Sequence, residues 1–311
     1  MTRWTTTDIP PQAGRHAIVT GTGGIGFETA RALALAGATV ILAGRSPSKG
    51  RDAIARLRAE VPASRVRHEV LDLASLSSVA AFADRMRSDL DRVDILVNNA
   101  GVMTPPDRRL TTDGFELQLG TNHLGHFALT ARLMPLLRAG AASRVVSVSS
   151  VAARSGSIDF DDLNARRSYR LMPVYSRSKL ACLMFAIEFQ RRSWSEGWGI
   201  TSVAAHPGVS RTELLRNAPG PRDFGRLVRG CLPFLFQPAA QGALPVLFAA
   251  TSPDAQPGGY YGPDRLSETR GHPAPARVPP QAEDAAVAAR LWTESERMTG
   301  VPFGDALISA A

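Results

Sequence analysis

At 311 residues, with 44% apolar and 21% charged residues, the chain has the make-up of a soluble globular protein able to bury a sizeable core. A net charge of +8 raises nucleic acid or a membrane surface as a partner, but the arginines are scattered and aromatics are only 6%, which argues against clustered cations with stacking rings. No apolar stretch reaches the length of a membrane span, residues 1–14 lack the apolar run of a signal peptide, and Cys182 and Cys231 lack CxxC spacing; a cytoplasmic protein with buried thiols is expected.

The run His16-Ala17-Ile18-Val19-Thr20 is short, apolar and stopped by glycines, as a buried parallel strand is. Gly21-Thr22-Gly23-Gly24-Ile25-Gly26 follows, then a helical stretch over 27–36 and a second strand over 39–43. This is a βαβ unit with G-x-G-x-x-G at its turn, the dinucleotide fingerprint in its required setting. The glycines permit a tight turn and close approach of backbone to a pyrophosphate, whose charge sits at the helix N-terminus. An acidic residue commonly follows the second strand to hold the ribose 2′-hydroxyl. Here the strand ends in Ala43-Gly44-Arg45-Ser46, and a cation there suits a 2′-phosphate.

The alternation continues with a strand over 65–71 ending at Asp72-Leu73, and a helix over 75–90 with Ser75 near its N-cap. A strand over 94–97 closes on Asn98-Asn99-Ala100-Gly101. A long helix is predicted over 112–137, kinked around Asn122 by Gly120 and Gly125. Residues 144–150 read as a fifth strand with hydroxyls at its carboxyl end, 173–192 as a helix, and 200–205 as a sixth strand ending at His206-Pro207-Gly208. The carboxyl ends of such strands form the ligand crevice of an open α/β sheet.

Over 209–236 the pattern loosens, with Val209, Thr212, Pro219, Pro221 and the apolar patch Leu232-Pro233-Phe234-Leu235-Phe236; this reads as a mobile substrate lid. A helix over 239–250, a short run at 258–262 that completes the sheet, a Pro-rich stretch over 271–280 and a helix over 283–298 follow. There is no internal repeat. The expected architecture is a single domain over 1–311, an α/β Rossmann-type doubly wound parallel sheet of about seven strands with helices on both faces. The lid lies at 209–236 and a C-terminal extension over 263–311.

Chemistry gathers at Tyr175-Ser176-Arg177-Ser178-Lys179. A tyrosine and a lysine four apart on a helix share one face. A phenol titrates near pH 10 and trades protons at neutral pH only where something favours the phenolate, as an ammonium does. Nearly every cation in this chain is Arg; Lys49 and Lys179 are its two lysines. Where an ammonium is not needed the sequence uses Arg, so Lys179 beside Tyr175 reads as a tuned acid/base pair. His123, His126 and His206 lack an acidic partner nearby in sequence, and no metal site is expected. The stretch Leu180-Ala181-Cys182-Leu183-Met184-Phe185-Ala186-Ile187 is apolar around its whole circumference. A two-fold partner or the C-terminal segment would cover the surplus, and a homodimer is the expectation.

These residues together resemble the short-chain dehydrogenase/reductase family over nearly the whole chain. The matching pieces are the glycine turn, Asp72-Leu73, Asn98-Asn99-Ala100-Gly101, Asn122, Ser150, Tyr175 with Lys179, and Pro207-Gly208. Finer features resemble the retinol-dehydrogenase-like branch and its bacterial relatives: Asn122-His123-Leu124-Gly125-His126-Phe127, Ile158-Asp159-Phe160-Asp161-Asp162-Leu163 and Gly258-Gly259-Tyr260-Tyr261-Gly262-Pro263. One departure is that Thr20 to Gly26 is a residue shorter than the family's T-G-x-x-x-G-x-G.

The resemblance implies an NADP(H)-dependent oxidoreductase interconverting an alcohol and a carbonyl on a bulky apolar small molecule. Catalytic roles would fall to Tyr175 as proton donor or acceptor, Lys179, Ser150 on the substrate oxygen, and Asn122 as anchor of a water linking Lys179 to solvent. Cofactor contacts would come from Gly21, Gly23, Gly24, Ile25, Gly26, Arg45, Ser46, Asp72, Leu73, Asn98, Asn99, Ala100, Gly101, Tyr175, Lys179, Pro207, Gly208, Val209 and Thr212. A catalytically weak NADP(H)-binding scaffold or sensor of the same fold stands as the alternative.

Overall fold

The structure, a computed structural model, describes residues 3–210 and 237–303. Thr212, Cys231 and the expected lid beyond Ser210 lie outside the described residues. Among the described residues, eight strands form one sheet in the order β3-β2-β1-β4-β5-β6-β7-β8. They are β1 His16–Thr20, β2 Thr39–Gly44, β3 Arg65–Val70, β4 Ile95–Asn98, β5 Arg144–Val148, β6 Thr201–Ala205, β7 Tyr260–Arg265 and β8 Arg270–Pro275. The first seven pair in parallel, and β8 returns antiparallel along β7.

Strand side chains alternate across the sheet, so each strand feeds two cores. Val19, Leu42, Val97 and Val146 pack on one face, and Ile18, Ile41, Leu96 and Val145 on the other. Both faces are covered, which is why the strands read as unbroken apolar runs rather than as alternating ones. Helices α1 Gly24–Leu35, α2 Pro47–Glu60 and α8 Ala239–Thr251 cover the first face. On the second lie α3 Leu76–Asp89, α5 Gly125–Arg132 and α7 Leu171–Ser195.

Three expectations are corrected. The sheet has an eighth strand, β8, where the sequence reads only as Pro-rich; prolines are tolerated there because the strand is at the sheet edge. Helix α2 fills a stretch to which the sequence reading assigns nothing. It begins at Pro47, with Ser46 Oγ accepting the Lys49 N–H at 3.4 Å.

The long helix starts at Leu117 rather than at 112, because residues 111–114 turn back through Gly114 (φ 83°). From α4 Leu117–Leu119 it passes through a π-helical turn, Gly120–Leu124, into α5, and α6 Met134–Arg138 completes it. Gly120 and Gly125 are close-approach positions. A Cβ at Gly120 would strike Thr111 Cγ2, and one at Gly125 would strike the Leu73 carbonyl.

The apolar surplus of α7 does not call for a partner. Leu180, Ala181, Leu183 and Met184 are fully buried within this chain, with Phe185 nearly so. Their surplus face is covered by α9 Ala285–Thr299, which contributes Ala288, Leu291 and Trp292. Trp292 stacks on Phe185 at 5.7 Å and meets Phe127 edge-on at 5.2 Å. Among the described residues, no helix is long and apolar enough to cross a membrane.

Candidate active site

A cavity of about 500 Å³ opens at the carboxyl ends of the strands, beside the point between β1 and β4 where the strand order reverses. Five segments line it: the start of α1 (Gly21, Gly23, Gly24, Ile25), the turn after β4 (Asn99, Ala100, Gly101, Met103), and the end of β5 onward (Val148 to Ala152). Helix α7 adds Met172, Tyr175 and Lys179, and the chain after β6 adds Pro207, Gly208, Val209 and Ser210.

The glycine turn is built to pack on one side and stay open on the other. Gly21 has φ 95°, and a Cβ on it would lie 2.9 Å from Asn99 Nδ2; one on Gly26 would lie 2.6 Å from the same atom. A Cβ on Gly23 would meet nothing within 4 Å. Gly23 is also the N-cap of α1 and supplies no side-chain cap, so the first amides of a 12-residue helix face the cavity without one. That cradle fits the pyrophosphate of a dinucleotide, and the loop, one residue short, still forms it.

Thr20 pins the opposite turn. Its Oγ1 accepts the N–H groups of Asn99 and Ala100, both at 2.9 Å, while Asn99 Nδ2 donates to the Thr20 carbonyl at 2.7 Å. The Thr20 hydroxyl also lies 2.9 Å from His126 Nε2. His126 Nδ1 sits 2.9 Å from the Asn122 carbonyl, so it carries the proton, and Nε2 accepts from Thr20. Burial pushes the His126 pKa down to about 4 and that of His123, which meets Ser295 Oγ at 2.8 Å, to about 3. Both rings are neutral. Among the described residues, no group of three or more His, Cys, Asp or Glu could hold a metal ion.

The three chemistry-bearing side chains meet at the cavity wall. Tyr175 and Lys179 are 6% and 4% exposed on one face of α7. Lys179 Nζ donates to the Val148 carbonyl at 3.0 Å. Ser150 caps the 3-10 turn Val151–Ser155 by accepting the Ala152 N–H at 3.2 Å, which leaves its own proton to donate. Ser149 points away and donates to the Lys179 carbonyl at 2.8 Å. Gly101 passes close over the group: a Cβ there would lie 3.1 Å from Asn122 Oδ1 and 3.5 Å from Lys179 Nζ.

Asn122 is more heavily bonded than a simple water anchor. Its Nδ2 donates to the Val102 carbonyl and Ser178 Oγ, and its Oδ1 accepts the Val102 N–H at 2.8 Å. The backbone carbonyl, set by the π-helical turn, takes His126 Nδ1 and the Cys182 thiol. One lone pair, on Oδ1, is left for the expected water. The buried thiol of Cys182 thus has a structural partner.

Several other expected cofactor residues do not line the cavity. Leu73 is buried against Gly125. Asp72 Oδ1 accepts the Ala74 N–H at 3.0 Å, and the Asp72 N–H donates to Ser78 Oγ, a local turn that starts α3. Asn98 is buried with Nδ2 on Thr130 Oγ1, beside an internal space of about 10 Å³ shared with Ser147, about the room of one water. Ser46 caps α2, and Arg45 is exposed at the end of β2. The sequence reading missed the apolar wall of Met103, Val151, Ala152 and Met172, since single apolar residues in turns carry no motif.

An open, mainly parallel α/β sheet with a glycine turn and a Ser-Tyr-Lys group at the carboxyl ends of its strands is the frame of a Rossmann-type oxidoreductase. The chain belongs to the short chain dehydrogenase family, whose profile matches residues 15–222, a family of oxidoreductases acting on alcohols and carbonyls. It is 42% identical over 307 residues to the mouse (Mus musculus) polyprenol dehydrogenase, covering 96% of this chain and 87% of that one. Human (Homo sapiens) retinol dehydrogenase 13 is 43% identical over 295 residues, covering 93% and 85%. Among solved structures, an uncharacterized protein from Mycobacterium Paratuberculosis is 39% identical with a TM-score of 0.79, covering 97% of this chain and all of that one. A short chain dehydrogenase from Shigella flexneri complexed with NADP, 22% identical with a TM-score of 0.62 over 81% of this chain and 98% of that one, shares the fold.

Proposed function

We propose that this protein is an NADP(H)-dependent oxidoreductase that interconverts an alcohol and a carbonyl on a bulky apolar substrate. The observation that carries this is the convergence of Ser150, Tyr175 and Lys179 on one cavity that also receives the open start of α1. Gly23 and Gly24 would hold the pyrophosphate, Asn99 to Gly101 and Pro207 to Val209 would flank the cofactor, and Arg45 with Ser46 would take the 2′-phosphate. When bound, the nicotinamide supplies the hydride.

Tyr175 gives its phenolic proton to the substrate oxygen during reduction and takes it back in reverse. Ser150 donates its free hydroxyl proton to the same oxygen, stabilising charge that develops there. Lys179, tethered to the Val148 carbonyl and one helical turn on from Tyr175, would favour the phenolate by its charge and hold the ribose hydroxyls. Asn122 keeps the Val102 chain against α7 and acts as a positioning residue. The apolar wall of Met103, Val151 and Met172 suits a hydrocarbon body, and the names of the polyprenol and retinol dehydrogenases among the relatives favour a long isoprenoid-like alcohol or its aldehyde. Oxidation of NADPH in the presence of a panel of apolar aldehydes and ketones is the test. Dinucleotide binding with no turnover across the panel would favour the scaffold or sensor.

A further inference from the structure

The hairpin between β7 and β8 turns through Leu266, Ser267 and Glu268, three consecutive non-glycine residues with φ of 48°, 54° and 66°. Such a left-handed run is strained for L-residues and persists only where its surroundings hold it. The Glu268 carboxylate does much of that holding. Its Oε1 accepts the Arg277 N–H at 3.0 Å, and its Oε2 takes the Arg154 guanidinium at 2.6 Å and His206 Nε2 at 2.9 Å.

Two of these partners lead into the cavity wall. Arg154 belongs to the 3-10 turn that follows Ser150 and supplies Val151 and Ala152 to the cavity. His206 is fully buried, and its other nitrogen, Nδ1, accepts the backbone N–H of the cavity-lining Gly208 at 3.2 Å. An amide N–H can only donate, so Nδ1 must keep its lone pair. A neutral His206 must then carry its proton on Nε2, and an acceptor facing Nε2 fixes that tautomer.

We propose that Glu268 is a positioning residue of the dinucleotide crevice, holding the Gly208 rim in place by fixing the Nε2–H tautomer of His206. This rests on the reading of the crevice as a nicotinamide dinucleotide site. The rim and the hairpin are also joined directly, since the Val209 N–H donates to the Thr269 carbonyl at 2.8 Å. Gly208 has φ 61°, and a Cβ on it would strike the Thr269 carbonyl, so rim and hairpin are in close contact. A leucine at position 268 would remove that acceptor and leave the Arg154 guanidinium, a donor, beside Nε2, sending the ring proton to Nδ1. There it would face the Gly208 N–H, donor against donor.

Two measurements decide. Long-range proton–nitrogen correlation NMR of the wild-type protein should show His206 protonated on Nε2; an Nδ1–H pattern overturns the proposal, and this measurement needs no variant to fold. Fluorescence titration with NADPH and NADH is then compared for wild type, Glu268→Leu, His206→Asn and the double variant. Asparagine can offer its Oδ1 to Gly208 without help from residue 268. Glu268→Leu should weaken dinucleotide binding about five- to tenfold, the loss of one net hydrogen bond, but less than about twofold in the His206→Asn background. Equal loss in both backgrounds, or wild-type binding by Glu268→Leu with only a lowered apo melting temperature, overturns the proposal alone. Failure of the wild type to bind either dinucleotide overturns the crevice reading and this proposal with it.

Discussion

Trp292 is 2% exposed at the centre of the rings that join α9 to α7, yet its indole N–H has no partner among the described residues. Replacing it separates two effects that usually travel together. Trp292→Ala removes the whole ring from contacts with Phe127, Phe185 and Phe303, and from beneath the Arg192 guanidinium at 4.6 Å. A buried aromatic truncated in this way costs about 3–5 kcal/mol. At roughly 2–4 °C per kcal/mol for a chain of a few hundred residues, the melting temperature should fall by roughly 6–20 °C. Trp292→Phe keeps most of the ring area. It forfeits about 1 kcal/mol of apolar burial and relieves a buried unsatisfied donor worth about 1–3 kcal/mol. The net change should lie within about 2 kcal/mol of zero, tending toward stabilisation. Urea unfolding followed by circular dichroism, with all variants compared at equal m-value, measures both. If Trp292→Phe lost as much as Trp292→Ala, the indole N–H would be a bonded group and the reasoning would be wrong.

Tyr175→Phe should abolish most turnover while leaving NADPH affinity near wild type, since the phenol acts in the chemical step; steady-state kinetics alongside a binding titration separates the two, and substantial turnover would remove Tyr175 from its role. Arg45 stands exposed after β2, and a charge-assisted contact to a 2′-phosphate is worth about 1.5–3 kcal/mol, so wild type should prefer NADPH over NADH roughly ten- to hundredfold and Arg45→Asp should invert or abolish that preference. Equal wild-type affinity for the two dinucleotides would refute it. His123 and His126 are held neutral in the fold by burial, with pKa values of about 3 and about 4 against an ordinary 6.5, so the unfolded chain binds more protons below about pH 6.5. Their contribution to stability is complete above that pH and is lost as the pH falls toward 4 and then 3. Between pH 6.5 and about pH 5 the loss should be about 2 kcal/mol for each ring. A flat urea midpoint across that window would contradict their neutral burial.

The order of strands and helices was legible because β1, β2, β4, β5 and β6 are buried on both faces and end at glycines or polar turns. Strand β8 was not, since Arg270–Pro275 carries two prolines and owes its pairing to the edge beside β7. The start of the fourth helical stretch was misplaced because the turn at 111–114 is closed by contacts to Phe115 and Ala74, which local propensity does not encode. Tyr175, Lys179 and Ser150 were legible as residue types at telling spacings. The bonding of Asn122 was not, because His126 and Cys182 reach its carbonyl from two helices. Nor could the sequence join Arg154, His206 and Glu268, which lie far apart along the chain and meet at one carboxylate.

The covering of α7 by α9 also sets an order in time. Helix α7 ends at Ser195 and α9 begins at Ala285, so about ninety residues separate the greasy face from its lid of Leu291 and Trp292. At a synthesis rate of roughly 5–20 residues per second, a nascent chain carries that face bare for about 5–20 seconds. During that interval Leu183, Met184 and Phe185 are available to any hydrophobic neighbour on the polysome. Yield in a cell should therefore depend on chaperone supply and on translation speed between residues 195 and 285, even for variants whose finished fold is untouched.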